Sequence, residues 1–294
     1  MRKFLYLIIY ILALTGCERE IDIAYHEMEP MVMIEGRVTN EGTEVLITKS
    51  RSMTDSVKGR GLPEAEVIVS SEGAEEHLSF DAATGYYRSD LQGVPRQTYR
   101  LSVVFEGKHY EATSYMYPPA PFISTEFLWQ PIMQERLLAY EMWSVDPEPD
   151  VRNYFWYRMD RISHHTHFKD KPVTDAYRWN VFDDRGCPPG VIYHDIMCMS
   201  EQMAEDDEQE DWNDILYEGD TITLRLMTID QPTYDYFHSL MMGQRSGANP
   251  LGNISGDACL GYFTAAYITH ADTVVFRYDL VRTKGKDTQA QARQ

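Results

Sequence analysis

The chain has 294 residues, 43% hydrophobic and 25% charged, a balance that excludes a mainly disordered chain, a collagen-like chain and a multi-span membrane protein. With 27 basic against 46 acidic residues the formal net charge is -19, which argues against a nucleic-acid partner because phosphate binding needs a cationic field. The 20 Tyr, 11 Phe and 5 Trp make the chain aromatic-rich, a composition that suits strands.

Arg2 and Lys3 open the chain, and residues 4–14 form an apolar run. The run is too short to span a bilayer as a helix but fits the core of a signal peptide. Leu14-Thr15-Gly16-Cys17 follows: an aliphatic residue, two small residues and a Cys. This resembles the lipobox of bacterial lipoproteins, in which the Cys thiol is acylated and the chain is cut just before it. The resemblance implies a signal peptide over 1–16 and lipidation at Cys17; the competing reading is an ordinary secretory signal with a chance Cys. The acidic pair Glu18 and Glu20 resembles the surface-export signal of some Gram-negative lipoproteins. No second long apolar run follows, so the anchor is expected to be lipid alone.

Residues 17–30 read as a polar tether. From residue 31 the pattern is short strands separated by turns. Strands are predicted over 31–39, closed by Asn40-Glu41-Gly42, and over 43–48. Ala65, Val67 and Val69 alternate with Glu64, Glu66 and Ile68, and Tyr99, Leu101, Val103 and Phe105 alternate with Arg100, Ser102 and Val104. Glu106-Gly107-Lys108 is a tight turn with a return strand over 109–116. Strands of this length and spacing predict an antiparallel sandwich over 31–117. Pro118-Pro119-Ala120-Pro121 has three residues without amide donors and reads as a stiff connector between domains.

A second β-rich domain is predicted over 122–283, with strands over 122–129, 137–143, 153–162, 221–226 and 273–281. One short helix is expected. Asp230 caps it, Pro232 fits its first turn, Phe237, Leu240 and Met241 share a face, and Gly243 ends it. Residues 284–294 read as a flexible tail. The fold class is therefore mainly β: two antiparallel, immunoglobulin-like sandwich domains with one short helix in the second.

The first half resembles the carboxypeptidase-regulatory-like, transthyretin-like sandwich through Glu35-Gly36-Arg37-Val38-Thr39, Leu62-Pro63-Glu64-Ala65-Glu66-Val67, Thr84-Gly85-Tyr86-Tyr87 and Thr98-Tyr99-Arg100-Leu101. Gly36 is expected to tolerate a bulge and Tyr99 to anchor the core face. Nearly the whole mature chain is similar to the exported lipoproteins of domain of unknown function family 4249. The pieces are Cys17-Glu18-Arg19-Glu20-Ile21-Asp22, Asp90-Leu91-Gln92-Gly93-Val94-Pro95, Thr113-Ser114-Tyr115-Met116, residues 150–157, Glu218-Gly219-Asp220, Ser246-Gly247-Ala248-Asn249-Pro250, Asn253-Ile254-Ser255-Gly256 and Leu260-Gly261-Tyr262-Phe263. The resemblance implies an outer-membrane lipoprotein encoded beside a TonB-dependent receptor, with no assigned chemistry and no catalytic residues to carry over.

Five candidate sites stand out. Cys187 and Cys198 are close in sequence and an exported chain can form disulfides, with separate thiols as the alternative. A zinc set of Cys187, His194, Cys198 and Cys259 matches no structural zinc spacing. In His164-His165-Thr166-His167, a strand would place His165 and His167 on one face for zinc, copper or nickel; the competing reading is a solvated loop. The acidic run 205–211 lacks the glycine and alternate ligands of a calcium loop and reads as solvated. In the strand Tyr154-Phe155-Trp156-Tyr157 one face is core, and Tyr154 with Trp156 offers either a stacking platform or a second core face.

No Gly-x-Ser-x-Gly, His-Glu-x-x-His, Walker loop or dinucleotide fingerprint occurs. The leading expectation is a non-catalytic, cofactor-free protein anchored to the outer membrane by its N-terminal lipid. Its expected role is ligand capture or accessory function beside a TonB-dependent transporter, its protein partner, with contacts from an acidic insertion at 183–214. An exported hydrolase acting on glycan or peptide, and a structural or adhesive surface module, remain open.

Overall fold

The computed structural model describes residues 30–50, 61–132, 135–168, 173–204, 214–246 and 250–284. The expected signal peptide over 1–16, Cys17, most of the expected tether, the acidic run 205–211 and the tail from residue 285 lie outside the described residues. Among the described residues no helix is long and apolar enough to cross a membrane.

The first half holds β1 (Val32–Thr39), β2 (Gly42–Lys49), β3 (Glu66–Ser71), β4 (Ala74–His77), β5 (Ser79–Asp81), β6 (Tyr86–Ser89), β7 (Thr98–Phe105) and β8 (Lys108–Tyr115). The second holds β9 (Phe122–Ile132), β10 (Glu135–Val145), β11 (Tyr154–Ser163), β12 (Val173–Asp183), β13 (Val191–Ser200), β14 (Ile215–Leu216), β15 (Thr221–Ile229), β16 (Ser255–Gly256), β17 (Cys259–His270), β18 (Val274–Val275) and β19 (Arg282–Thr283). The main helix runs Gln231–Ser246, and a single helical turn spans Glu201–Ala204. The architecture is mainly β and sandwich-like. Three pairings are parallel, β1 with β17, β13 with β14 and β9 with β19, so two of the three sheets are mixed rather than purely antiparallel.

A nine-stranded sheet in the order β12-β11-β15-β17-β1-β2-β6-β5, with β18 added beside β15, runs the length of the molecule. Two five-stranded sheets cover its two halves. Over one half lies β16-β8-β7-β3-β4, and over the other β14-β13-β10-β9-β19. Alternation produces the first core: Ile34, Val38, Val45 and Ile47 face Val67, Val69, Leu101 and Val103. Leu138, Tyr140 and Met142 of β10 and Ile192 and Ile196 of β13 meet Phe155, Met159, Leu224 and Leu226 in the second.

The boundary expected at 118–121 is corrected by β17. The prolines do mark where the chain passes from one sandwich to the other. Yet β17, from the far end of the sequence, pairs with β1 from Val32↔Cys259 to Thr39↔Ala266. Its residues 267–270 then pair with β15. One strand thus belongs to both halves, and its Phe263 and Ala265 are fully buried in the first core. A buried polar junction reinforces the seam. The Ser114 hydroxyl donates to Asp230 Oδ2 at 2.6 Å and accepts from the Ala265 amide at 2.8 Å. Asp230 also caps the helix, accepting from the Thr233 amide at 3.0 Å. One side chain therefore ties β8, β17 and the helix start together.

Other local expectations shift for packing reasons. Gly36 sits in regular pairing with both neighbours rather than at a bulge; a Cβ there would stand 3.0 Å from the Phe263 ring. Gly243, expected to end the helix, lies inside it, since the helix continues to Ser246. The strand expected over 273–281 shortens to β18, followed by a 3₁₀ turn at Tyr278–Leu280. Within 183–214 lies β13, a strand paired with β10 over eight positions from Leu138↔Cys198 to Val145↔Val191, so this stretch is core as well as surface.

Candidate functional site

The outer face of the shared sheet carries two environments. Toward β12 it is apolar and lies under the helix: Trp156 packs on Phe237 with ring centroids 4.5 Å apart, and Met227, Ile229 and Tyr262 complete the cluster. Beside this cluster opens a cleft of about 390 Å³. Its walls bring Arg37, Arg88, Arg158 and Arg225 together from β1, β6, β11 and β15. Trp156, Met227 and Ile268 reach its floor, and Glu41, Glu44 and Asp90 share its lining. A second, larger cavity of about 530 Å³ is lined by Leu46, Pro63, Phe80 and Tyr86 among others, without a charged side chain. Convergent charge, not volume, makes the first the candidate site.

The register explains how the arginines are held. On β1-β2-β6, Arg37 stands opposite Glu44, and Glu44 opposite Arg88. Glu44 accepts from Arg37 Nε at 2.7 Å, from Arg37 Nη2, and from Arg88 Nη2 at 3.1 Å. Asp81 lies 4.0 Å from Arg88 Nη1. Burial opposes the charge on Arg37, but Glu44 outweighs it and the guanidinium holds its proton more tightly than usual. Burial pushes the neighbouring Glu35 carboxyl up, with Arg37 pulling the other way.

Across the cleft, Arg158 stands directly opposite Arg225 on β11 and β15. Two like charges in that position repel. Asp160, two residues along the same face, offsets this by accepting from Arg158 Nε at 2.7 Å and from Arg225 Nη2. One carboxylate shared by two guanidiniums leaves a positive charge and unused N–H donors toward the cleft. At the rim Glu41 pairs with His270. The Asn40 side chain finishes the ladder where β1 stops: it donates to the Ile268 carbonyl at 3.2 Å and accepts from the Ile268 amide at 2.7 Å. Held by ion pairs on regular strands, the guanidiniums are pre-organised to take an anion.

Each hydroxyl of the cleft bonds to backbone, two as donors and one as acceptor. Thr39 donates to the Gly42 carbonyl at 3.0 Å, Thr43 donates to the Leu91 carbonyl at 2.7 Å, and Ser89 accepts from the Leu91 amide at 3.3 Å.

The residues singled out from sequence fall elsewhere. Cys187, Cys198 and Cys259 are free thiols. Cys187 lies in a turn against the backbone of Tyr193, at 3.4 Å from its amide nitrogen. Cys198 is buried five residues further along β13, about 16 Å at ~3.3 Å per residue, beyond disulfide reach. His165 lies past the end of β11 and stacks on Tyr217 at 3.9 Å, and His167 falls in the 3₁₀ turn Thr166–Phe168. The strand that would have aligned the two histidines is absent there. His194 stacks on Phe182 at 4.1 Å, where burial lowers its pKa to about 4. Among the described residues no group of three metal-ligating side chains forms. Tyr154 and Trp156 belong to a second packed face rather than an open platform: Trp156 is buried under Phe237, and the half-buried Tyr154 packs on Tyr234 with centroids 4.9 Å apart.

None of the four arginines was legible as a site residue from the sequence. The available signal was Arg158, Asp160 and Arg225 at outward positions of otherwise apolar strands in an acid-rich chain.

The family model described as Domain of unknown function (DUF4249) matches residues 18–271. No curated protein matches the chain. Among solved structures, the chicken interferon gamma receptor alpha chain aligns over 85% of this chain and 98% of its own length at 7% identity, with a TM-score of 0.20, too low to assign fold or function.

Proposed function

We propose that this chain, which belongs to the DUF4249 family, is a non-catalytic ligand-capture protein of the outer membrane, anchored by lipid at Cys17 and working beside a TonB-dependent transporter. The observation that carries the reading is the cleft. In a chain with 27 basic and 46 acidic residues, four arginines converge on one cavity. At its β11–β15 end Arg158 and Arg225 share the single carboxylate of Asp160, and this local excess of positive charge marks a place where a ligand's negative charge is received. The Thr39 and Thr43 hydroxyls bound to backbone and the Glu44 and Asp160 carboxylates held in ion pairs favour capture over turnover. The first sandwich, in this reading, is the carboxypeptidase-regulatory-like module. It carries the tether on β1 and shares the cleft with the second sandwich.

Two measurements test the proposal together. Mass spectrometry of the mature protein should find an acylated cysteine as its first residue. Solubilisation of outer membranes in mild detergent at low salt should yield the chain with a transporter, and Arg158→Gln should leave that association intact while weakening ligand retention. A soluble mature protein starting elsewhere overturns the anchor. A chain that purifies alone and turns over a glycan or peptide overturns the non-catalytic role.

A further inference from the structure

The cleft is not uniformly positive, and its polarity narrows the ligand. At the β2–β6 end, Arg37 and Arg88 stand with Glu44, Asp81 and Asp90: two guanidiniums against three carboxylates. Glu41 adds a fourth carboxylate at the rim, paired with His270. At the β11–β15 end, Arg158 and Arg225 share only Asp160. Fixed charge therefore runs from net negative beside Asp90 to net positive between Arg158 and Arg225, with the apolar edges of Trp156, Met227 and Ile268 between. Asp90 is exposed and carries no ion pair among the described residues.

We infer, resting on the capture reading above, that the cleft binds a short zwitterionic peptide, its terminal carboxylate bridging Arg158 and Arg225 and its terminal ammonium lying toward Glu41 and Asp90. A carboxylate in that seat completes a neutral array of two guanidiniums and two carboxylates, using N–H donors that Asp160 leaves free. Asp90 follows β6, and Arg225 lies on β15, four strand spacings away in the sheet order. At ~4.8 Å per spacing, and with Asp90 level with Ala266 but Arg225 level with His270, four residues further along the strands at ~3.3 Å each, that is about 23 Å between backbones, which side-chain reach reduces to roughly the length of a four-residue extended peptide. An acidic glycan supplies the anion but no ammonium, so it matches only one end. A polyanion would meet Asp90 and Glu41 unfavourably.

The test is calorimetric titration of the full mature protein with tetra-alanine and with its C-terminal amide, its N-acetyl form and an oligogalacturonate. The free peptide should bind. Amidation should weaken it by about tenfold or more, acetylation by several-fold, and the glycan should bind no better than the amide. Arg225→Gln should bind the free peptide and the amide equally, because Asp160 then neutralises the one guanidinium that remains. Asp160 still pairs with Arg158 in that variant, and a thermal unfolding curve checks that it folds. Arg158→Lys keeps the charge and should lose only part of the discrimination. Asp90→Asn should shrink the effect of acetylation, leaving only the part that Glu41 supplies. Equal affinity for the free and amidated peptides, tighter binding of the glycan, or no peptide binding overturns the inference. Retention of the transporter in a membrane pull-down is scored separately, so capture of another ligand and failure of the capture reading give different outcomes.

Discussion

Replacing Gly261 with Ala tests whether the two halves of the molecule are one sheet. Gly261 lies on β17 opposite Ile34 of β1, with φ of +114°. An added Cβ would fall 1.8 Å from the Ile34 carbonyl oxygen, where nothing closer than about 3.0 Å is tolerated, so the two strands must part by roughly an ångström or more. The cost has two sources. A non-glycine residue at positive φ costs about 1–3 kcal/mol. Loss of the two or three ladder bonds flanking the contact costs about 1 kcal/mol each. The sum is about 4 kcal/mol, a large share of a domain's stability. Gly219→Ala is the control: it stands at φ of +91° in a turn with open space around it, so it bears the dihedral cost alone. Urea unfolding followed by tryptophan fluorescence and circular dichroism should show one coincident transition for the parent chain. Gly219→Ala should lower stability modestly and Gly261→Ala by about 4 kcal/mol, with protease sensitivity appearing at 118–121 only in the latter. Two separate transitions in the parent chain, or equal losses in the two variants, would refute the shared sheet.

His194, stacked on Phe182, has its pKa lowered by burial to about 4, from an ordinary value of 6.5. The unfolded chain therefore binds the proton more readily. His194 stabilises the fold above pH 6.5, and that contribution is lost as pH falls toward 4, by up to about 3 kcal/mol. Unfolding midpoints measured from pH 7.5 to 4 should fall less steeply for His194→Gln than for the parent, and parallel slopes would disprove the assignment. Ser114→Ala removes the hydroxyl that serves both Asp230 and the Ala265 amide, leaving a buried carboxylate oxygen and a buried N–H short of a partner. It should cost about 2–3 kcal/mol in the same unfolding assay, and Ser114→Thr should restore part of it. A loss below about 0.5 kcal/mol would mean the junction is not structural.

Much of the local structure was legible in the residues themselves. Alternation at Val67-Val69, Leu101-Val103 and Ile222-Leu224-Leu226 predicts strands because a half-buried strand must alternate, and these strands form. Asp230 caps a helix because its side chain satisfies an amide that the helix leaves open, and that bond is present. The free thiols are a different case. Whether Cys187 meets Cys198 depends on which way a strand points, and Cys198 is drawn into the core by its apolar neighbours Ile192 and Ile196.

What the sequence by itself determined is the class of the protein: mainly β, with a turn-rich first half, a capped helix and a family-wide order of short motifs. Only the tertiary structure decided the partner of β17. Buried positions run without interruption from Gly261 to Ala266, so the segment lacks the alternation that announces a strand, and nothing local says that a stretch near residue 260 pairs with one near residue 35. The same holds for the cleft. Arg37, Arg88, Arg158 and Arg225 are each an ordinary outward-facing strand residue. They become a site because the shared sheet lays four distant segments side by side, and long-range pairing is set by the fit of whole surfaces rather than by the periodicity of any one of them.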